Sequence, residues 1–270
     1  MIQLVVTAPA AEVELASDAL WSLGVVAVEE RTGADGVVEL WTSLGENREV
    51  VAAAVIGFPA SWRWRTVEVD ETVADTWRQF ASPVWVAPDL VVCPAWRPES
   101  FEDVVTVVRI EPGSTFGMGD HPTTVSSLRA LRRQLRPGAT VLDVGCGSGV
   151  LAVAAVMLGA SAAHGIDISP AAVPTTAANA EANGVADRVT AATTPLAEVP
   201  GTYDLVVANI LAPALVELSA DLRRVVAPGG SLVISGILAD RHDHVLAALV
   251  PLGVVHVDEV DGWVAVTLGR

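Results

Sequence analysis

The chain has 270 residues, enough for one large domain or two modest ones, and it is 51% hydrophobic and 18% charged, a globular composition that supports a packed core. Its apolar runs break at Gly, Ser, Arg or Pro short of the ~20 residues a membrane helix needs, and MIQLVVTAPAAEVE has no basic stretch ahead of its apolar residues, so neither a membrane span nor a signal peptide is expected. The net charge is −16 and all 16 basic residues are arginine, which disfavours DNA or RNA as the direct partner, allows a basic partner and leaves no lysine side chain of its own to modify.

Cys93 and Cys146 read as unpaired buried thiols, in keeping with a cytoplasmic protein. Ile2–Thr7 alternates as a strand does. Ala10–Leu23 is amphipathic, with Val13, Leu20 and Leu23 set against Glu12, Glu14 and Asp18. Val25–Glu30 reads as a strand, Gly33-Ala-Asp-Gly36 as a hairpin turn and Val37–Thr42 as its return strand. Asn47–Ile56 predicts a helix, and Ser61–Val69 a strand with alternating Trp62, Trp64 and Thr66. The order β-α-β-β-α-β is that of a ferredoxin-like split unit over residues 1–70, which carry eleven acidic residues, four arginines and a net charge of −7.

Residues 71–112 form a connecting region, with a short helix at Ala74–Ala81 and short strands near Val84–Val86, Leu90–Cys93 and Val104–Ile110. Trp77, Trp85 and Trp96 are expected to pack the two domains together. The C-terminal part, residues 113–270, opens on STFGMGDHPTT at Ser114–Thr124 and a helix over Val125–Leu135. Pro122 and Thr123/Thr124 suit a helix start, where free N–H groups favour an anionic group; a loop with an N-cap accounts for the pattern equally well.

From Thr140 the chain alternates strand and helix. Strands are expected at Thr140–Val144, Ala162–Ile166, Arg188–Ala192, Tyr203–Val207, Ser231–Ile234, Val254–Val260 and Trp263–Leu268. Helices are expected at Val150–Leu158, Pro170–Asn183, Pro213–Val226 and Ala239–Val250. This is a doubly wound α/β sheet with an antiparallel last pair at its edge. In such sheets ligands bind at the carboxyl ends of the strands, near the point where the strand order reverses.

That end of the first strand carries TVLDVGCGSG, with Gly145, Gly147 and Gly149 alternating behind Asp143. Glycine there permits positive φ and lets a ligand approach without a Cβ in the way. The spacing misses the dinucleotide fingerprint G-x-G-x-x-G, because Val150 stands at its sixth position, and a phosphate-cradling P-loop needs a lysine the chain lacks. D-x-G-x-G-x-G instead resembles motif I of class I S-adenosylmethionine methyltransferases; the plainer reading is a turn that only joins strand to helix. Asp167 ends the second strand 22 residues after Gly145, where an acid accepts hydrogen bonds from ribose hydroxyls. Asn209 ends the fourth strand, a position that faces the reactive end of a bound cofactor; a turn residue is the plainer reading. The histidines show no ligand spacing beyond His242-x-His244, which reads as a solvated helix face, and no metal is expected.

Taken together, FGMGDHPTT, LDVGCGSGVLAVAA, GIDISP with AANAEANGV, VVANILA and GGSLVISGIL resemble the PrmA family, the methyltransferases of ribosomal protein L11. The likeness runs from about Trp77 to about Leu238. It implies an α/β class I methyltransferase with a doubly wound seven-stranded sheet, behind a small N-terminal ferredoxin-like α+β domain that recognises the substrate. The cofactor implied is S-adenosylmethionine, held at Thr124, Gly145, Asp167 and Asn209, with Gly147 of the same turn counted among the cofactor-binding positions. The partner implied is ribosomal protein L11 or another basic protein, methylated on amino groups, with Asn209 positioning the acceptor and with no direct nucleic-acid or membrane partner. Relatives on this scaffold methylate other protein lysines, including one on an electron-transfer flavoprotein subunit. A small-molecule methyltransferase and a non-catalytic cofactor-binding assembly partner are the alternatives. The Asn-Pro-Pro-Tyr motif of amide- and adenine-methylating enzymes is absent, Ile210-Leu211 standing in its place. The chain departs from the family's F-G-T-G-x-H-x-T-T at Met118, adds a charge at Asp120, and carries Pro174 where the helix after Asp167 is expected, so that this helix should start late or kink.

Overall fold

The computed structural model describes residues 2–21, 23, 25, 28–33, 36–43, 51, 55–68, 78, 81–102, 104–113, 115–240 and 242–269. The chain forms two compact units, Met1–Ala81 and Ser82–Arg270.

In the first unit, β1 (Ile2–Pro9), β2 (Glu29–Thr32), β3 (Val37–Ser43) and β4 (Arg63–Glu68) make an antiparallel sheet in the order β2-β3-β1-β4, the ferredoxin-like arrangement. Helix α1 (Val13–Trp21) follows one turn of 3-10 helix at Ala10–Glu12. The alternation of β1 sends Leu4, Val6 and Ala8 to one face, where they meet Ala16 and Leu20 of α1 and Leu40 of β3. Strand β2 begins later than its sequence suggests and runs to Thr32, because the hairpin bond from Gly33 N to Val37 O sets the register Thr32↔Val38. The helices expected at Asn47–Ile56 and Ala74–Ala81 lie largely outside the described residues, as does Trp77.

The second unit begins with β5 (Val84–Ala87), β6 (Leu90–Pro94) and β7 (Thr106–Ile110), a three-stranded sheet in that order with β6 and β7 parallel. Trp85 is half exposed and meets Phe101 edge to face. Next come α2 (Pro122–Gln134), β8 (Thr140–Val144), α3 (Val150–Met157), β9 (Ala162–Ile166), α4 (Ala172–Ala182), β10 (Val189–Ala192) and β11 (Tyr203–Asn209). The chain closes with α5 (Ala212–Glu217), α6 (Ser219–Val225), β12 (Val226–Leu238), α7 (Asp243–Ala248), β13 (Gly253–Val260) and β14 (Trp263–Gly269). The large sheet has seven strands in the order β10-β9-β8-β11-β12-β14-β13. Its first five are parallel, and β14 runs antiparallel to both β12 and the edge strand β13.

Alternation along the central strands splits the core in two. Val141, Leu205, Val207 and Val233 face α2, α3 and the three-stranded sheet. Leu142, Val144, Val206, Ala208, Leu232 and Ile234 face Leu215, Leu222, Val225 and Val245 of α5–α7. Helix α3, VLAVAAVM, is apolar all round because it is covered on every side.

Three boundaries differ from the sequence reading. The helix expected over Pro213–Val226 is two helices, interrupted at Leu218, where ψ is 2°. The helix expected over Ala239–Val250 is confined to Asp243–Ala248. The strand expected at Ser231–Ile234 runs from Val226 to Leu238, and Pro-Gly-Gly at 228–230 lies within it as an irregularity between the Tyr203↔Val226 and Leu205↔Ser231 pairs, with Gly229 at φ 76°. Helix α4 starts late, at Ala172, which leaves Pro174 in the first turn, where a missing N–H costs nothing.

Candidate active site

The order of the sheet reverses between β8 and β11: from β8 the chain steps outward through β9 to β10 and then returns to β11 on the other side. Residues at the carboxyl ends of β8, β9 and β11 therefore converge on one crevice. Gly145, Asp167 and Asn209 stand there, one at each strand end.

The glycine turn is held by backbone bonds. Gly145 N and Cys146 N both donate to Ile166 O at the end of β9, at 2.8 and 3.1 Å. Gly145 lies at φ 77°, and a Cβ on it would stand 2.3 Å from Ile210 Cγ2. Gly147 lies at φ 52°, and its Cβ would meet the Phe116 carbonyl oxygen at 2.5 Å. Both positions combine left-handed backbone with close packing, so only glycine fits. Asp167 closes the turn. Its Oδ2 accepts from Gly147 N at 2.9 Å and its Oδ1 from Ser169 N at 2.8 Å.

Asp143 sits beneath the turn, fully buried, with Oδ2 accepting from Ala152 N at 3.1 Å and Oδ1 without a hydrogen-bond partner. Burial raises its pKa to about 7; the α3 amide works against that rise and the charge of Asp167 adds to it. Cys146 is likewise pushed up to about 12 by burial and is an inert thiol, as is the raised Cys93; both are free and buried.

The segment before α2 crosses the turn. Ser148 N donates to Phe116 O at 2.9 Å, and Ser148 Oγ donates to Gly117 O. His121 caps α2, its Nδ1 accepting from Thr123 N at 3.3 Å, and burial holds its pKa below the ordinary histidine value. Its ring meets Phe116 and Trp263 edge to face, with centroids 5.4 and 5.3 Å away. Thr124, in the first turn of α2, is buried, and its Oγ1 has no hydrogen-bond partner. The Asn209 side chain is partly exposed and makes no hydrogen bond to another described residue. Trp263 was not singled out by sequence, because its place beside His121 depends on β14 pairing back onto β12. Asp143 was legible only as part of the motif. His242 stands at the N-cap position of α7 without a side-chain capping bond and is within hydrogen-bonding distance of Ala239 O through Nδ1, whereas His244 is exposed.

A sheet of this order, with a glycine turn and an acid at its switch point, defines the class I methyltransferase fold. The model of the family described as "Ribosomal protein L11 methyltransferase (PrmA)" matches residues 1–270, and the chain belongs to that family. A ribosomal protein L11 methyltransferase of Geobacter metallireducens is 46% identical over 184 residues, 68% of this chain and 60% of that protein's own length. The corresponding protein of Geobacter sulfurreducens is 44% identical over 210 residues, covering 78% of this chain and 68% of that one. The alignments thus leave about a third or more of these relatives' length unmatched. A crystal structure titled as a ribosomal protein L11 methylase from Lactobacillus delbrueckii subsp. bulgaricus matches 70% of this chain and 99% of its own at 30% identity, with a TM-score of 0.66.

Proposed function

We propose that this protein transfers methyl groups from S-adenosylmethionine to amino groups of ribosomal protein L11, a reaction of the cytoplasm. The observation that carries the reading is the glycine turn tied to Asp167 at the switch point of the sheet, with the Asn209 amide free beside it.

The residues fit such a cofactor. A carboxylate has about four lone-pair sites, and Asp167 spends two on Gly147 N and Ser169 N, so it retains acceptors for a pair of ribose hydroxyls. Thr124 Oγ1 is buried with its hydrogen-bonding capacity unspent, which suits a polar ligand group drawn under the 115–121 segment. Gly145 and Gly147 keep the turn free of side chains.

When bound, the cofactor supplies a methyl group already activated by its sulfonium. The protein has to orient a neutral amine and exclude water. Lysine in water has a pKa near ~10.4, and desolvation lowers it, so entry into the crevice favours the neutral amine, its proton passing to solvent water. The Asn209 carbonyl oxygen can accept from the amine N–H and aim its lone pair. Phe116, His121 and Trp263 form an aromatic cluster at this end of the sheet, and burial lowers the His121 pKa and so favours its neutral form. The first unit, with its net charge of −7 over residues 1–70 and no catalytic motif, recruits the basic protein.

Mass spectrometry of ribosomal proteins from cells lacking the gene tests the substrate. L11 is expected to be lighter by whole methyl groups, and an L11 of unchanged mass would contradict the assignment.

A further inference from the structure

The three-stranded sheet leaves β7 paired on one side only, with β6. Its outer edge is not left bare. Arg109 N donates to Asn183 Oδ1 at 2.8 Å, and Asn183 Nδ2 donates back to Arg109 O at 2.7 Å. Two residues on, Glu111 N donates to Asn179 Oδ1 at 2.9 Å, and Asn179 Nδ2 donates to Glu111 O at 2.9 Å. Residues two apart on a strand edge present their peptide groups in the same direction. Asn179 on α4 and Asn183 at its C-cap are four residues apart and fall on the same side. The two side-chain amides therefore act as two peptide units of a neighbouring strand, bonding backbone groups along the edge.

The asparagines differ in one respect. Each has one further bond from Nδ2. Asn183 donates to Asn179 O, within its own helix, at 2.7 Å. Asn179, 1% exposed, donates to Ser148 O in the glycine turn at 2.8 Å. Ser148 in turn holds Phe116 and Gly117 through its N–H and hydroxyl. One buried amide thus fixes Glu111, where the segment leading to Thr124 begins, and Ser148, to which that segment returns. Thr176, one turn earlier on α4, also donates to the turn, at Gly147 O.

We infer that Asn179 is a positioning residue for the cofactor site, coupling the glycine turn to the 111–121 segment so that the two form a single ligand-binding frame. The inference rests on the cofactor reading above and deepens it. Asn183 is the structural comparison, holding Arg109 N and O as Asn179 holds Glu111 N and O, without touching the turn.

The test compares Asn179→Ala with Asn183→Ala by calorimetric titration of S-adenosylhomocysteine and by thermal melting. Both variants are expected to melt lower than wild type: Asn179→Ala removes the bonds to Glu111 N, Glu111 O and Ser148 O, and Asn183→Ala those to Arg109 N and O, while Asn179 O keeps the Asn183 backbone N–H. Only Asn179→Ala is expected to weaken S-adenosylhomocysteine, by about tenfold or more, with Asn183→Ala within about twofold of wild type. Equal affinities in the two variants would overturn the inference. A wild-type protein that does not bind S-adenosylhomocysteine would overturn the cofactor reading, and the inference with it. The wild-type protein gives a measurement that needs no variant: on adding S-adenosylhomocysteine, hydrogen exchange at the Glu111 amide should slow while the Arg109 amide keeps its rate. Unchanged exchange at Glu111 in the presence of bound ligand would also overturn the coupling.

Discussion

Asp143 and Asp167 lie at one end of the sheet in opposite states. Asp167 sits at the surface of the turn, with both oxygens bonded to backbone N–H groups and lone pairs to spare. Replacing it with alanine removes a charged acceptor worth about 1.5–3 kcal/mol, which predicts a loss of roughly ten- to a hundredfold in cofactor affinity by calorimetry. Unchanged affinity in Asp167→Ala would remove it from the ribose site. Asp143 has no exposure and one unpaired oxygen, and its folded pKa is raised from 3.8 to about 7. Folding favours its protonated form, so its contribution is fully present below 3.8 and is lost as pH rises toward about 7. Asp143→Asn keeps the shape without the titration. Wild type should lose stability relative to that variant across this window, by at most about 1.4 kcal/mol per pH unit, and parallel pH profiles in chemical denaturation would contradict the raised pKa. Thr124→Val tests the unspent hydroxyl. Cofactor affinity and methyl transfer should both fall, and wild-type values for both would reduce the 115–121 segment to a connector.

At the scale of elements, the glycine turn is where local sequence and ligand geometry coincide. Gly147 and Gly184 are both left-handed, at φ 52° and 67°, but a Cβ on Gly184 would meet nothing within 4 Å. Gly184→Ala should therefore cost about 1–2 kcal/mol, the left-handed penalty alone. Gly147→Ala adds a clash with the Phe116 carbonyl and should cost more in thermal melting as well as lowering cofactor affinity. Equal costs and unchanged affinity would mean that the turn adapts. The strand, turn and helix at Thr140–Met157 were legible because their signals are local: an apolar strand, glycines at fixed spacing and an apolar run. Asp167 and Asn209 followed from ending their strands. The Asn179 and Asn183 amides were not legible, since their partners at Glu111 and Arg109 lie 68 and 74 residues away and the pairing depends on β7 having a free edge. Strand β12 extends beyond the Ser231–Ile234 expected from sequence, and only the register of β11 against β12 places Pro-Gly-Gly at 228–230 as an irregularity inside it.

At the scale of the whole molecule, the two units have separate cores: Leu4, Val6, Leu20 and Leu40 in the first, and the two faces of the seven-stranded sheet in the second. The second unit takes in the three short strands of the expected connecting region and already holds every proposed cofactor residue. The charge of −7 over residues 1–70 should act mainly on encounter with a basic partner, and such attraction is screened beyond ~8 Å at physiological salt. Raising salt should therefore slow association with the protein substrate and leave cofactor affinity nearly unchanged. A cofactor affinity that falls as steeply as the association rate would contradict this division of labour.

The most direct measurement is methyl transfer from labelled S-adenosylmethionine to purified L11, comparing the full chain with residues 82–270 alone. The full chain should label L11, and residues 82–270 should bind the cofactor but label L11 far more slowly. A folded 82–270 fragment that labels L11 at the full-chain rate would contradict the recognition role of the first unit, and a full chain that binds cofactor yet leaves L11 unlabelled would contradict the protein-methyltransferase account itself.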